Sequence, residues 1–401
     1  MSKKLIAALA AVMLPATVAA IPASAQETIK IGFITTLTTP ASVIGQDMVD
    51  AVNLAVEHAG GTIAGKKIEV FFEDDGVKPE VGRQKAEKLI QQNNVDFVTG
   101  VIWSHVLLAI RKPVLDAGKF LISGNAGPSP LAGKLCHENF FSTRDQNDMG
   151  PMGLGEVLNQ QGAKKLYVIA PNFAAGKDMV AGVERTFKGE VLGRDFTKWG
   201  DEPQLDFSAE LAKAEASGAD ALFAFYPGRA GPAFARQYEQ AGLAKKIKLY
   251  TIYTYDQIAL PRLQEAKVGS VLGSQTADWW SPDIDNAENK RFVEDYKKKF
   301  GRIPSNYAAS SYEVIPYIKA AIEQAGGDVK NTAKVRDALR KADYKSIRGA
   351  FKMGPNHFPI DTIYHQEIAA DASGAWTMKT VKAVLKDTPD VYMSECPMVK
   401  K

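Results

Sequence analysis

The chain reads as an α/β protein built from two successive lobes of strands and helices. Three observations predict this. β-rich runs alternate with amphipathic helical stretches from residue 28 onward, the pattern starts afresh near residue 165, and no low-complexity linker separates the two sets. Strands separated by helices are joined by right-handed crossovers and lie parallel in a sheet. A length of 401 residues also suits two domains, at roughly 100–200 residues for each. Lobes without a long linker are joined by short strands, which is how a hinge is made.

In the first set, 28–34 is a strand, and the loop 35–44 holds two Thr-Thr pairs and Pro40. The next helix carries Met48, Val52, Ala55, Val56 and Ala59 on one face and stops at Gly60-Gly61. Residues 68–72 form a second strand, whose end at Glu73, Asp74, Asp75 and Gly76 turns into a polar helix at 79–92. Strands at 95–99 and 120–123 flank a helix through the apolar run 106–110, which Ser104 can cap. The second set has strands at 165–170, 190–196, 221–226 and 248–253, with helices at 176–187, 207–216 and 232–241. Residues 287–341 are mostly helical, broken at Pro304 and Gly326-Gly327. The tail is hairpin-like, with strands at 363–370 and 375–384 around a turn at 371–374. Strands that follow a helical block imply a chain crossing between lobes more than once.

Residues 1–25 are expected to be a secretory signal peptide. Lys3 and Lys4 precede an apolar run at 5–14, and Ala23-Ser24-Ala25 offers the small residues a signal peptidase reads. Pro15, Thr17 and Pro22 interrupt the run and leave it short of the roughly 20 apolar residues of a membrane anchor. An exported, soluble, periplasmic protein is the expectation. In an oxidising compartment the two cysteines, Cys136 and Cys396, have only each other, so one disulfide is the default and two buried thiols the alternative. With 49 basic and 46 acidic side chains, no charge excess points to nucleic acid or a membrane surface.

Several fragments look catalytic and fail on inspection. Gly176-Lys177 has part of a phosphate-binding loop, but Pro171 stands where its first glycine belongs and Asp178 where its Ser or Thr belongs. Gly150, Gly153 and Gly155 have the spacing GxxGxG, not that of a dinucleotide fingerprint. The five histidines include no close ligand pair, so no metal site is expected. No serine sits in a nucleophile elbow. Neither catalytic residues nor a cofactor are implied.

What remains lies at the carboxyl ends of strands, where open α/β sheets bind ligands. After the third strand come Trp103 and Ser104; a hydroxyl with free N–H groups at a helix start suits a carboxylate, or serves simply as a cap. After the fourth come Asn125, Ala126 and Gly127, small enough to let backbone approach a ligand. The second lobe offers Phe173 and Tyr226 in loops, with Tyr250, Tyr253, Tyr255, Trp279 and Trp280 clustered beyond them as core or ligand-facing rings.

These residues bring the chain to a known family. The run 29–38, Gly45-Gln46-Asp47, Phe71 to Asp75, Phe140 to Asp145, and the loop at 170–178 resemble, in order and spacing, the Leu/Ile/Val-binding type of extracellular solute receptors of ATP-driven importers. The resemblance covers essentially the whole mature chain. It implies a type I periplasmic binding protein: two Rossmann-like lobes joined by three crossovers, with ligand between them. Lobe one would take 27–143 plus 276–356, and lobe two 144–275 plus 357–401. Carried over by position, Ser104 and the loop of Asn125, Ala126 and Gly127 would hold the ligand carboxylate, and Phe173, Tyr226 and Asp256 would close over it. Asp256 is equally read as a solvated turn residue after Tyr255. Two departures stand out: the Thr used beside the carboxylate is absent from 125–127, and Trp103 occupies a position where a small residue is common. Both favour a flat ring, and so an aromatic acid, over an aliphatic amino acid.

The resemblance thus implies a monomeric receptor with a small-molecule ligand and an ABC permease complex of the inner membrane as partners. A branched-chain or other amino acid is the alternative ligand, and a sensor feeding a signalling partner the alternative role. An exported hydrolase is the rival from another class, and no nucleophile–base pair supports it. Mass spectrometry of the exported protein should find Gln26 as its first residue; a soluble product that keeps residues 1–25 would overturn the signal-peptide reading.

Overall fold

The computed structural model describes residues 27–400. The expected signal peptide at 1–25 lies outside the described residues. A first sheet contains β1 (Thr28–Thr35), β2 (Thr62–Ile63), β3 (Lys66–Asp74), β4 (Phe97–Thr99), β5 (Phe120–Ser123) and β6 (Phe140–Ser142). Their order is β2-β3-β1-β4-β5-β6, parallel except for β2. The connecting helices are α1 (Ser42–His58), α2 (Pro79–Gln91), α3 (Ser104–Asp116) and the short α4 (Ser129–Ala132). The central strand β1 buries Ile29, Ile31, Phe33 and Ile34, so both of its faces are covered, as parallel sheets require.

After α5 (Met149–Gln160) a second sheet begins with β7 (Lys165–Pro171), α6 (Ala174–Thr186), β8 (Glu190–Thr197), α7 (Ser208–Ala216) and β9 (Ala221–Ala224). It continues through α8 (Ala230–Gln240), β10 (Lys248–Thr251), α9 (Leu260–Glu265) and β11 (Gln275–Asp278). The chain then returns to the first lobe as α10 (Ala287–Phe300), α11 (Asn306–Gln324) and α12 (Thr332–Lys341), where α10 and α11 pack on α1. It ends in the hairpin β12 (Asp361–Ala370) and β13 (Trp376–Thr388), antiparallel on the edge of the second sheet. That sheet runs β13-β12-β11-β10-β9-β7-β8. Three segments therefore cross between the lobes: 143–148, 279–286 and 342–360.

One expected boundary moves. The sequence placed a crossing between residues 275 and 276, but β11 pairs with β10 and β12 across 275–278, so the chain leaves the second sheet only after Asp278. Four residues of strand are too short to show a period.

The two lobes repeat one packing solution. A Cβ on Gly45 of α1 would lie 1.8 Å from the Thr36 carbonyl oxygen, and one on Gly176 of α6 would lie 1.9 Å from that of Pro171. In each lobe the helix that follows the first strand approaches the end of that strand so closely that only glycine fits. The glycines of α5 have a packing role as well. A Cβ on Gly153 would strike Ile363, and one on Gly155 would strike Thr186, so α5 lies tight against β12 and α6.

Cys136 and Cys396 form a disulfide across 260 residues of sequence. In the chain-entropy model a loop of that length is worth up to ~5 kcal/mol. Nearby, the His357 ring stacks flat on Phe141 with centroids 4.0 Å apart. Its Nδ1–H donates to the Phe140 carbonyl at 2.9 Å, and its Nε2 accepts from Arg340 Nε at 3.0 Å. Both nitrogens are used by the neutral form, and burial pushes the imidazole down to about 4. The unfolded chain takes that proton first, so the contribution of His357 is full above pH 6.5 and is lost as pH falls toward 4. A shift of this size corresponds to about 3 kcal/mol. Thermal melts should accordingly show the gap between the parent and His357→Gln shrinking from pH 7 to pH 4.5; buried aspartates such as Asp256 and Asp278, whose carboxyls are pushed up, impose the same slope on both proteins.

Candidate functional site

The strand ends of the two sheets face one another across a partly open pocket. From the first lobe come Ile102, Trp103 and Ser104 at the start of α3, with Asn125 and Ala126 after β5. From the second come Phe173, Ala175 and Met179 around the start of α6, Phe225 and Pro227 after β9, and Tyr253 after β10. The first crossing supplies Arg144 and Asn147, and α11 supplies Tyr307.

Aromatic packing shapes this pocket. Phe173 stacks on Trp199 at 5.3 Å with an interplanar angle of 11° and on Phe225 at 6.1 Å. Trp103 meets Phe173 and Trp199 edge-on at 6.2 and 5.5 Å. The Trp103 indole is fixed by its Nε1–H, which donates to Thr36 Oγ1 at 2.7 Å, and Thr36 in turn donates to Asp75 at 2.6 Å. That Asp75 carboxyl is pushed up to about 6 by burial. Tyr253 sits at φ +47°, a left-handed backbone that a bulky residue adopts only where packing holds it.

Positive potential comes from three sources. The Arg144 guanidinium is buried, donates from Nε to Asp145 at 2.7 Å and from Nη1 to Asn125 Oδ1 at 3.0 Å, and lies 4.6 Å from the Tyr253 ring centroid. The ordered starts of α3 and α6 both open on the pocket, each without a side-chain cap, so their first N–H groups and dipoles point toward it. The Tyr253 and Tyr307 phenols are held neutral, their pKa values raised well above the usual value by burial. Among the described residues lining the pocket there is no aspartate or glutamate.

The structure brings Trp103, Ser104, Asn125, Ala126 and Phe173 to one pocket. It places the other three expected residues elsewhere. Gly127 is packed behind the pocket, its N–H donating to Asn147 Oδ1 at 3.1 Å, and a Cβ there would lie 2.6 Å from the Asp145 carbonyl oxygen. Tyr226 points into the core of the second lobe, tilted on Phe207 at 4.5 Å and hydrogen-bonded to Thr197 at 2.9 Å. Asp256 is buried, not a solvated turn residue, and caps the turn into α9 by accepting the N–H groups of Ile258 and Ala259 at 2.9 and 2.8 Å. Burial pushes its carboxyl up to about 7.

Sequence reasoning missed Arg144, Asn147, Phe225 and Tyr307 as lining residues, and it left Tyr253 open between core and ligand-facing. Arg144 had a signal, an arginine directly after the apolar Phe140-Phe141 pair and beside Asp145. Tyr307 had none, because it reaches the pocket from a helix far along the chain.

Comparison with known proteins agrees with this architecture. The family model described as periplasmic binding protein matches residues 28–374. Leu/Ile/Val-binding protein homolog 6 of Brucella abortus is 25% identical over 380 residues, covering 90% of this chain and 92% of the relative. Among solved structures, an ABC-transporter solute-binding protein from R. palustris in complex with benzoate is 26% identical with a TM-score of 0.85, covering 92% of this chain and 99% of that one. A solute-binding protein of an ABC transporter from Rhodopseudomonas palustris BisB5, in complex with 3,4-dihydroxybenzoic acid, is 26% identical with a TM-score of 0.81, covering 91% and 99%.

The position of Asp256 yields a test. Asp256→Ala removes two capping bonds outside the pocket, so the melting temperature should fall by the equivalent of ~1 kcal/mol. Calorimetry should find ligand affinity within about twofold of the parent, well under 1 kcal/mol; a lost or strongly weakened ligand would return Asp256 to the site.

Proposed function

The chain belongs to the periplasmic binding protein family, and we propose that within it this protein is the extracytoplasmic receptor of an ABC importer that captures a small aromatic carboxylate. The observation that carries this reading is the charge of the pocket. Arg144 and two uncapped helix starts face it, and no carboxylate lines it among the described residues. An anion is welcome there, whereas a zwitterion would bury its ammonium without a partner, at a cost of several kcal/mol. The aromatic walls supply the rest. Trp103, Phe173, Phe225 and Tyr253 give a ring offset-stacked or edge-on contacts, each worth about 0.5–1.5 kcal/mol beyond burial.

In this reading Ser104 Oγ–H, the α3 N–H groups and Arg144 take the carboxylate, and the second lobe closes Phe173, Phe225 and Tyr253 over the ring. A ligand that touches both lobes only when they are together shifts the population toward the closed form, which an inner-membrane permease would recognise. Support also comes from the two R. palustris proteins, whose structures hold benzoate and 3,4-dihydroxybenzoic acid. The name of the Brucella relative supports a branched-chain amino acid as the second reading.

Titration calorimetry of the mature protein with benzoate, hydroxybenzoates and leucine separates the two. Benzoate-like acids should bind, leucine should not, and Ser104→Ala should weaken the acids by about 10- to 100-fold, the loss of one hydrogen bond to a charged group. Tight leucine binding with no response to the aromatic acids would establish the amino-acid reading instead.

A further inference from the structure

Asn147 lies in the first crossing and lines the pocket, and every polar atom of its side chain has a partner. Its Oδ1 accepts the Gly127 N–H at 3.1 Å. Its Nδ2 donates to Ser104 Oγ at 3.0 Å and to Asp178 Oδ2 at 2.9 Å. The orientation of the amide follows from these partners: a backbone N–H only donates and an ionised carboxylate only accepts, so the oxygen must face Gly127 and the nitrogen Asp178 and Ser104. The Ser104 hydroxyl thus receives a hydrogen bond on one lone pair, and its own proton is left to point elsewhere. Ser104 is buried at the start of α3, and the open direction is the pocket.

Asp178 ties this arrangement to the second lobe. It sits on α6 and also accepts from Ser129 of the first lobe, from the backbone N–H at 3.1 Å and from Oγ at 2.8 Å. The chain Ser129, Asp178, Asn147, Ser104 therefore runs from one lobe to the other and back, ending at the ligand pocket. It is complete only when α4 and α6 are in contact.

We infer that Asn147 is a positioning residue: its amide, anchored on Asp178, turns the Ser104 hydroxyl proton toward the ligand when the lobes are closed. The inference rests on the carboxylate reading above and deepens it, because a hydroxyl presented as a donor selects an acceptor ligand. Opening the cleft would separate Asp178 from Ser129 and loosen the amide that aims Ser104, so release of the ligand and loss of its donor would go together.

The test is a double-mutant cycle on the full mature protein, read by calorimetry with benzoate as the probe. Asn147→Ala should weaken benzoate binding by about tenfold in the parent and by less than about twofold in a Ser104→Ala background. Asp178→Asn, which is isosteric and leaves the fold intact if Asn147→Ala does not, should show the same pattern with a smaller loss, about threefold in the parent and none in the Ser104→Ala background. Losses that persist undiminished without the Ser104 hydroxyl would mean a merely structural role and would overturn the inference. A wild-type protein that does not bind benzoate or hydroxybenzoates at all would overturn the carboxylate reading itself, and the inference with it, before any variant is made.

Discussion

The structure turns on a set of buried charges where the three crossings meet. Arg144 lies in the first crossing, Trp279 in the second and Arg348 in the third, and all three are buried. The Arg348 guanidinium lies 3.9 Å from the Trp279 ring centroid, with Arg144 5.8 Å from the same ring. Arg348 pairs with Asp361 at 2.6 Å and Glu313 at 3.5 Å, and it donates to the Thr143 carbonyl of the first crossing. Arg144 pairs with Asp145 at 2.7 Å and, more loosely, with Asp278 at 3.7 Å. Here carboxylates outnumber guanidinia, and burial pushes Asp278 up to about 7 and Asp361 up to about 6. Charges so placed contribute little net stability as pairs, yet losing one partner costs about 3–5 kcal/mol because the other stays buried. The joint is therefore specified strongly, and it constrains the crossings to one geometry.

Contacts from lobe to lobe divide by burial. Lys78 pairs with Asp201 across the mouth of the cleft at 2.9 Å, but both ends are exposed, and such a pair holds the lobes only weakly. Deeper in, Trp103 meets Trp199 and Phe173, and Ser129 holds Asp178. Those contacts remove apolar surface and satisfy a buried carboxylate, so they carry more of the closure energy. The same residues, Trp103 and Phe173, line the pocket. Under the proposed function, a ligand ring set against these two side chains would extend an interface that already exists instead of creating one.

Much of the fold was legible in the sequence because its signals are local. The β-rich runs of the parallel sheets, the Gly60-Gly61 stop after α1 and the tail turn at 371–374 all announce themselves within a few residues. The elements that escaped are those set by tertiary contact. Helix α5 contains Gly150, Pro151, Gly153 and Gly155, poor helix formers that make sense only as a thin face against α6 and β12. Strand β11 has four residues and no alternation. In the site, loops at strand ends gave Trp103, Ser104, Asn125, Ala126 and Phe173, since topology alone puts such loops at the crevice. Tyr226 and Asp256 come from equally well-placed strand ends, yet one side chain turns into the core and the other caps its own turn. Sequence position fixes where a loop is, and side-chain direction depends on neighbours the sequence does not identify.

The placement of Arg144 joins the two halves of this account. One guanidinium belongs both to the buried charge set at the joint and to the wall of the pocket. Its desolvation cost is borne by the fold, through Asp145, Asn125 and the Tyr253 face, whether or not a ligand is present. Under the proposed function, an arriving carboxylate meets a cation already stripped of water and held in place, so little reorganisation opposes binding. The field of that cation is felt most when the second lobe covers the pocket and lowers the local dielectric. Closure and charge recognition then reinforce one another: the anion touches both lobes only in the closed form, and the closed form offers it Arg144 and the starts of α3 and α6 with no carboxylate among the described residues lining the pocket.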